Sequence, residues 1–277
     1  MDDLEPLRNI TPPPVAARTA SSSNLVELIC TVCGATFVWK KPSASWPFGS
    51  PTECPVCVTA REATEEAERL ATMERTVTLE RVARYQERGD VGERLRGLSL
   101  AQFPVAPHNQ TAHRVVLEWR DAAPEDPLIL VGPVGSGKTY LAACLYGDLT
   151  SDAYLRPTLW VSVPHLLHQM KRGFRDEDER SRVNDTVRWA QQAPILFLDD
   201  LGKTHRGQSV SWVEDQLYDI VDARYSNCLP TVVTTEWQAA ALKDLVGESV
   251  VSRLLHGAWI AGISAPAKPY RRPRENA

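Results

Sequence analysis

The chain has 277 residues, 43% of them hydrophobic, and 35 acidic against 31 basic residues give it a formal charge of −4. This length suffices for one α/β domain of ordinary size and a smaller appendage. The acidic balance excludes a protein that coats nucleic acid through its overall charge, so any DNA contact has to be local. No run of about 18 apolar residues occurs and no basic-then-apolar leader opens the sequence, so we expect a cytoplasmic protein without a membrane span.

The first segment, residues 1–24, combines acidic residues with a Pro-Pro-Pro run and three consecutive serines. Such a composition cannot bury enough apolar surface to order itself. We therefore predict a disordered tail there.

Two Cys-x2-Cys pairs lie within residues 25–60, a segment too short for a core of its own. Cys30 and Cys33 form the first pair, and Cys54 and Cys57 form the second after 20 intervening residues. Four thiolates can close a tetrahedral shell, which predicts a structural Zn²⁺ site in a small zinc-ribbon-like module. An iron–sulfur cluster, disulfides and unligated thiols are the alternatives.

The next segment, residues 61–96, is dense in Glu and Arg with sparse Leu, Met and Val. This pattern favours a solvent-exposed helical linker, broken near Gly89.

The largest predicted domain covers residues 97–265. Its apolar stretches LILV, LWVSV, ILFLD, TVVTT and WIAGIS alternate with helical segments expected at residues 138–148, 164–174, 183–191, 209–225 and 238–246. Strands alternating with helices predict an α/β domain with a mostly parallel sheet covered on both faces.

Residues 132–139 read GPVGSGKT, a full match to G-x-x-x-x-G-K-[ST] that follows one predicted strand and opens a helix. Glycines let backbone N–H groups surround phosphates at a helix N-terminus. Lys138 is expected to act on the β- and γ-phosphates and the Thr139 hydroxyl to ligate Mg²⁺. The predicted ATP-binding residues of this loop are Gly132, Pro133, Val134, Gly135, Ser136, Gly137, Lys138 and Thr139.

The stretch PILFLDDLG places two adjacent carboxylates at the end of an apolar strand. Asp199 is the predicted Mg²⁺ ligand, and Asp200 is the predicted catalytic residue that orients or deprotonates the attacking water. A solvated pair of acids at a strand end is the alternative.

Several blocks give the sequence a resemblance to AAA+ ATPases of the bacterial DnaC type, a group of helicase loaders with related IstB-type transposition ATPases. The blocks are SLAQF, GPVGSGKT, VSVPHLLHQMKRGF, ILFLDDLG, DARYSNCLPTVVTT and VVSRLL, in the family's order across residues 97–264. The resemblance implies a five-stranded AAA+ core in a homo-oligomer, where Arg253 of one subunit completes the ATP site of its neighbour.

Two positions depart from the family pattern. Glu236 stands where the family's polar sensor is usually Asn, so either Thr235 takes over nucleotide contact or hydrolysis is weak. The terminal sensor arginine has a loose counterpart in Arg271, within a basic C-terminal tail at residues 266–277.

A basic cluster between the second and third predicted strands falls where related loaders touch single-stranded DNA. Its members are Lys171, Arg172, Arg175, Arg180, Arg182 and Arg188. Four acidic residues at 176–179 interrupt the cluster, so a mixed-charge surface explains it equally well.

We therefore predict an ATP-dependent helicase loader of DNA replication in a bacterial or phage-infected cell, with ATP, Mg²⁺ and Zn²⁺ as ligands. Its expected partners are a replicative helicase, docked by the metal module as in some resembling loaders, and single-stranded DNA. The alternatives are an IstB-type transposition helper on duplex DNA and a weakly hydrolysing, nucleotide-dependent adaptor.

Overall fold

The structure, a computed structural model, describes residues 24–43, 45, 47–173, 175–203 and 210–265. The chain divides into two compact units, residues 1–72 and residues 73–277. The predicted tails at residues 1–24 and 266–277 lie outside the described residues, apart from Asn24.

The N-terminal unit contains a two-stranded antiparallel hairpin. Strand β1 (Leu25–Ile29) pairs with β2 (Thr36–Lys40). Most of its apolar side chains face solvent, including Ile29, which is 71% exposed. Among the described residues of this unit, only Cys30 and Cys54 are buried. The hairpin therefore has no hydrophobic core of its own.

Helix α1 (Pro55–Arg88) begins inside the segment predicted as the zinc module. Pro55 suits a first helical turn because its missing N–H has no partner to lose there. The predicted division between module and linker at residue 60 thus falls within one continuous helix. The helix ends at Arg88, next to Gly89, and its last turns bury Val82 and Tyr85.

The C-terminal unit is built on a five-stranded parallel sheet in the order β4-β5-β6-β3-β7. This arrangement confirms the predicted α/β fold with five parallel strands. The strands are β3 (Leu128–Val131), β4 (Thr158–Ser162), β5 (Ile195–Leu201), β6 (Thr231–Thr235) and β7 (Trp259–Gly262).

Seven further helices accompany the sheet in the described part of the chain. They are α2 (Gln110–Ala122), α3 (Lys138–Thr150), α4 (Val163–Gly173), α5 (Glu177–Gln192), α6 (Val210–Ser226), α7 (Ala239–Val246) and α8 (Glu248–Leu255). Two short 3-10 turns, Glu93–Leu95 and Leu100–Gln102, precede α2.

Helix α5 starts six residues before its predicted beginning at residue 183. The Asp176 carboxylate accepts from the N–H groups of Asp178 and Glu179 at 3.0 and 3.2 Å and so caps the helix. Three acidic residues in the first turn add a favourable interaction with the helix dipole. The acidic run predicted to interrupt the basic cluster is therefore the start of a helix.

The sheet is buried on both faces, as expected for parallel strands between two layers of helices. Side chains such as Ile129 and Leu198 pack on one face with α4 to α8. Alternate residues, including Trp160 and Phe197, pack on the other face with α2 and α3, and these two rings stack at 5.1 Å.

Arg224 of α6 is buried at 1% exposure and ties three elements together. Its guanidinium donates to the carbonyls of Ala190 and Ala193 at the end of α5, and to Pro230 and the Thr231 hydroxyl at the start of β6. Burial lowers the pKa of Arg224 to about 9, which leaves it cationic at neutral pH. A cation at a helix C-terminus is favoured by the helix dipole.

Across the described residues, no helix combines the length and the apolarity that a membrane crossing needs.

Candidate functional site

The loop between β3 and α3 has a backbone that only glycine accommodates easily at several points. Gly135 and Gly137 adopt φ values of 76° and 98°, a region strained for other residues. A side chain on Gly132 would lie 2.3 Å from the Ile263 carbonyl oxygen. The local geometry thus requires the glycines of the motif. The loop places the N-terminus of α3, a favourable position for anions, next to the strand ends.

Lys138 at the start of α3 is only 6% exposed. Its Nζ donates to the Pro133 carbonyl at 2.9 Å, within the same loop. Burial lowers the pKa of Lys138, while the nearby carboxylates, chiefly that of Glu236, oppose this shift. A phosphate oxygen can replace the neutral carbonyl as partner and compensate the buried charge.

Thr139 and Asp199 bring two oxygen ligands together across the site. The Thr139 hydroxyl donates to Asp199 Oδ1 at 3.0 Å, and the Thr234 hydroxyl donates to the same oxygen at 2.6 Å. Burial raises the pKa of Asp199, and the bond from Thr234 partly offsets that rise. Hydroxyl and carboxylate oxygens are the ligands that Mg²⁺ prefers, so the donor set fits this ion.

Thr234 is a contributor that sequence reasoning missed. Besides holding Asp199, its hydroxyl accepts from the Asp200 N–H at 2.9 Å. The signal was present as the two adjacent threonines that end TVVTT, but only the sheet register decides which hydroxyl contacts the carboxylate. Asp200 itself adopts φ 61°, an unusual value for a residue with a side chain.

Lys203, a second missed residue, lies between two carboxylates. Its Nζ is 2.8 Å from Asp200 Oδ1 and 3.2 Å from Glu236 Oε1. Burial acts to lower the pKa of Lys203, but both carboxylates raise it and the net shift is upward.

A cavity of about 320 Å³ opens where these groups meet, within the size range of small-ligand sites. Its walls combine predicted residues of the loop and Asp200 with further residues from the 3-10 turn Glu93–Leu95, from α3 and from the strand ends. The lining residues are Arg94, Leu95, Val134, Gly135, Gly137, Lys138, Thr139, Tyr140, Asp200, Lys203 and Glu236.

Three predicted loop residues do not line the cavity. Gly132 and Pro133 shape the loop, since Gly132 N–H donates to the Thr235 carbonyl and Pro133 accepts from Ser136 N–H and Lys138. The Ser136 hydroxyl is buried without a hydrogen-bond partner.

Thr235, the predicted substitute sensor, directs its hydroxyl elsewhere. This group donates to the Leu201 carbonyl at 2.8 Å and accepts from the Trp237 N–H at 3.2 Å. It therefore ties the ends of β5 and β6 together, while Thr234 contacts Asp199. The predicted sensor Arg271 lies outside the described residues.

Arg253 is not among the residues around this cavity. Its guanidinium donates to Asp222 at 2.6 Å, to the Tyr218 hydroxyl at 2.7 Å and to the Ser249 carbonyl at 3.2 Å. The side chain stays partly exposed at 27%. The structure thus holds Arg253 in a fixed position at the surface, separate from the nucleotide cavity of its own chain.

The four cysteines of the N-terminal unit converge, with all four sulfur atoms within 4.8 Å of one another. Cys54 N–H donates to Cys30 Sγ at 3.3 Å, and all described cysteines are free thiols. N–H groups of Cys33 and Cys54 lower the pKa of Cys30 to about 6, whereas hydrogen bonds among the sulfurs raise that of Cys57. The cluster can hold a metal ion, and its chemistry fits zinc.

The basic cluster of α4 and α5 is partly neutralised within the chain. Arg172 and Arg182 lie 3.9 and 3.8 Å from Glu179, and Arg188 lies 3.9 Å from Asp185. Arg180 donates to the Gly173 carbonyl. The arginine side chains nevertheless stay exposed, at 78% for Arg182.

Comparison with known proteins gives one family match within the second unit and several structures that share its fold. Residues 128–249 match the family "ATPase family associated with various cellular activities (AAA)". A search of curated proteins finds no match. The match to the crystal structure of the DnaC helicase loader has a TM-score of 0.52 at 20% identity, over 62% of this chain and 99% of the other.

Two further structures give similar values. The crystal structure of DnaI has a TM-score of 0.52 at 22% identity, over 64% of this chain and 93% of the other. A putative primosome component from Streptococcus pyogenes serotype M3 has 0.53 at 22% identity, over 67% and 96%. At these identities the likeness establishes a shared fold.

Proposed function

We propose that this chain, whose residues 128–249 form an AAA-family ATPase domain with a DnaC-type fold, is an ATP-dependent helicase loader of DNA replication. The family match confirms the predictions of an AAA+ domain and of an ATPase. The observation that carries the proposal is that Lys138, Thr139 and Asp200 line one cavity, with Asp199 hydrogen-bonded to Thr139.

The proposed chemistry is hydrolysis of the terminal phosphate of ATP. The loop N–H groups and Lys138 bind the phosphates, and Thr139 with Asp199 would hold Mg²⁺, which neutralises developing charge when bound. Asp200 accepts the proton of the attacking water. The Asp200 backbone N–H donates to the Thr234 hydroxyl, which holds the backbone at this position.

Arg253 is proposed to act in the site of a neighbouring subunit of a homo-oligomer. Support comes from its place outside the cavity of its own chain and from Asp222 and Tyr218, which hold the guanidinium partly exposed. A guanidinium supplied in trans stabilises the transition-state charge and makes hydrolysis depend on assembly.

The cysteine cluster is proposed to bind structural Zn²⁺ and to present the N-terminal hairpin to a replicative helicase. Four sulfurs leave no open position for a substrate, which favours a structural role. The exposed apolar residues Leu25, Ile29 and Val38 of the hairpin offer a surface for a protein partner.

Single-stranded DNA is proposed to contact the exposed arginines of α4 and α5. Arg172, Arg182 and Arg188 are 60%, 78% and 68% exposed, and their separations from carboxylates near 3.9 Å are too long for tight ion pairs. Phosphate groups can therefore compete for them.

Capture of a purified replicative helicase by the tagged full-length protein, with and without Mg-ATP, tests this function. We expect capture by wild type and by the matched control Cys228→Ser, and loss with Cys54→Ser. A point substitution is preferable to deletion of the predicted module at residues 25–60, because α1 begins at Pro55 and the deletion would remove its first residues. Capture by none of these proteins, together with ATP-dependent filaments on duplex DNA, would favour the transposition-type function instead.

A weakly hydrolysing adaptor is the second candidate, favoured by the ion pair that engages Asp200 with Lys203 at 2.8 Å. In this arrangement the ammonium occupies the carboxylate oxygen that would otherwise contact the attacking water. Turnover that is unchanged in Asp200→Asn would support the adaptor, whereas a fall of about 100-fold or more supports the ATPase mechanism.

A further inference from the structure

The nucleotide cavity contains a second lysine that the family motif does not account for. Lys203 follows β5 directly and lines the same cavity as Lys138. Its ammonium bridges Asp200 at the end of β5 and Glu236 just after β6. Three carboxylates and two ammonium groups thus surround the place where the phosphates would lie, counting the buried Asp199.

We propose that Lys203 binds the γ-phosphate of ATP in its own subunit, and that Glu236 is the positioning residue that holds Lys203 until ATP arrives. This inference rests on the proposed ATP site. It also gives the unusual Glu236 a role: the residue at the sensor position holds Lys203 beside the cavity before the nucleotide binds.

The charges of the site support this assignment. Lys203 is 44% exposed, and exposed ion pairs add little to the stability of a fold, so stability alone does not account for this bridge. Glu236 and Asp200 are less exposed, at 19% and 28%, and would repel each other and a polyphosphate without the lysine.

The γ-phosphate adds negative charge beside the Thr139 and Asp199 oxygens, close to Asp200. It can therefore compete with both carboxylates for the Lys203 ammonium, whereas ADP lacks the competing group. Transfer of Lys203 to the phosphate would release Asp200 to act as the base. ATP would then prepare its own hydrolysis.

The test is the ratio of dissociation constants for Mg-ADP and for the non-hydrolysable analogue Mg-AMPPCP, measured on the full chain. Lys203→Met should lower the preference for AMPPCP by about tenfold, because one charge-assisted bond to the γ-phosphate is lost. Glu236→Gln should raise that preference several-fold, because the competitor for the ammonium is removed. In the double variant, Glu236→Gln should add nothing to Lys203→Met.

A matched control comes from the ion pair of Lys243 with Glu248, which spans 2.7 Å and is absent from the cavity lining. Lys243→Met and Glu248→Gln should leave the ratio unchanged. The inference fails if Lys203→Met keeps the wild-type ratio, or if Glu236→Gln lowers the preference for AMPPCP as Lys203→Met does. Lys203 would then only link Asp200 to Glu236 within the fold. Failure of wild type to bind either nucleotide would instead overturn the proposed ATP site.

Discussion

The two units of this chain are stabilised in different ways. In the N-terminal unit, Cys30 and Cys54 are the buried residues among those described, and the hairpin strands expose their apolar side chains. The C-terminal unit buries side chains on both faces of its sheet. We expect a fold of the first kind to depend on the proposed metal ion, while one of the second kind depends on packing. The candidate nucleotide site lies on the unit that has the packed core.

Removal of the metal should have the largest effect and should be confined to the N-terminal unit. Structural Zn²⁺ contributes on the order of 10 kcal/mol to small domains, and this hairpin has no core to replace it. We expect chelation, or Cys54→Ser, to unfold the hairpin while urea unfolding of the C-terminal unit keeps its midpoint. Amide NMR spectra together with metal content measure both.

The control for that experiment is Cys228→Ser, an exposed cysteine outside the cluster. It should retain one metal ion per chain and a folded hairpin. A hairpin that stays folded after complete metal removal would contradict the difference between the two units.

Substitution of Arg224 should have the next largest effect, this time on the C-terminal unit. Arg224→Met removes the donor to the buried carbonyls of Ala190 and Ala193, while the Pro230 carbonyl keeps the Leu196 N–H at 3.3 Å. Unsatisfied buried groups cost about 1–3 kcal/mol each, so we expect a loss of about 3–5 kcal/mol in urea unfolding. Metal content should not change.

Arg188→Met is the matched control, since that side chain is 68% exposed. It should change stability by no more than about 0.5 kcal/mol. Equal effects of the two substitutions would show that the buried guanidinium does not join α5, α6 and β6 as described.

The smallest expected effect is a difference between substitutions of two neighbouring threonines of β6, Thr234 and Thr235. Thr234→Val removes the hydroxyl that holds both Asp199 and the Asp200 N–H. We expect half-maximal ATP hydrolysis to require a roughly tenfold higher Mg²⁺ concentration, since a lost hydrogen bond to a charged group is worth about 1.5–3 kcal/mol. Thr235→Val loses the bond to the Leu201 carbonyl and the bond from the Trp237 N–H, neither of which involves Asp199, and should leave the Mg²⁺ requirement unchanged. A larger effect of Thr235→Val than of Thr234→Val on the Mg²⁺ requirement would instead support Thr235 as the sensor.

The sequence was sufficient for features encoded by short, local patterns. GPVGSGKT, the Asp199–Asp200 pair and the four cysteines have fixed spacing, and the alternating apolar stretches specify a parallel sheet. Contacts across the sheet could not be predicted, because the bonds of Thr234 and Lys203 depend on strand register and on the left-handed backbone at Asp200. The early start of α5 was readable from the Asp176 cap but was missed.

The most direct test of the shared ATP site is complementation between two inactive variants. Arg253→Ala should bind Mg-ATP but lose assembly-dependent hydrolysis by on the order of 1000-fold, and Lys138→Ala should bind no nucleotide. When the two are mixed, the Arg253 of a Lys138→Ala subunit can face the intact cavity of an Arg253→Ala subunit. We predict that the mixture regains hydrolysis well above either variant alone. A mixture that co-assembles yet stays inactive would contradict an ATP site completed by a neighbouring subunit.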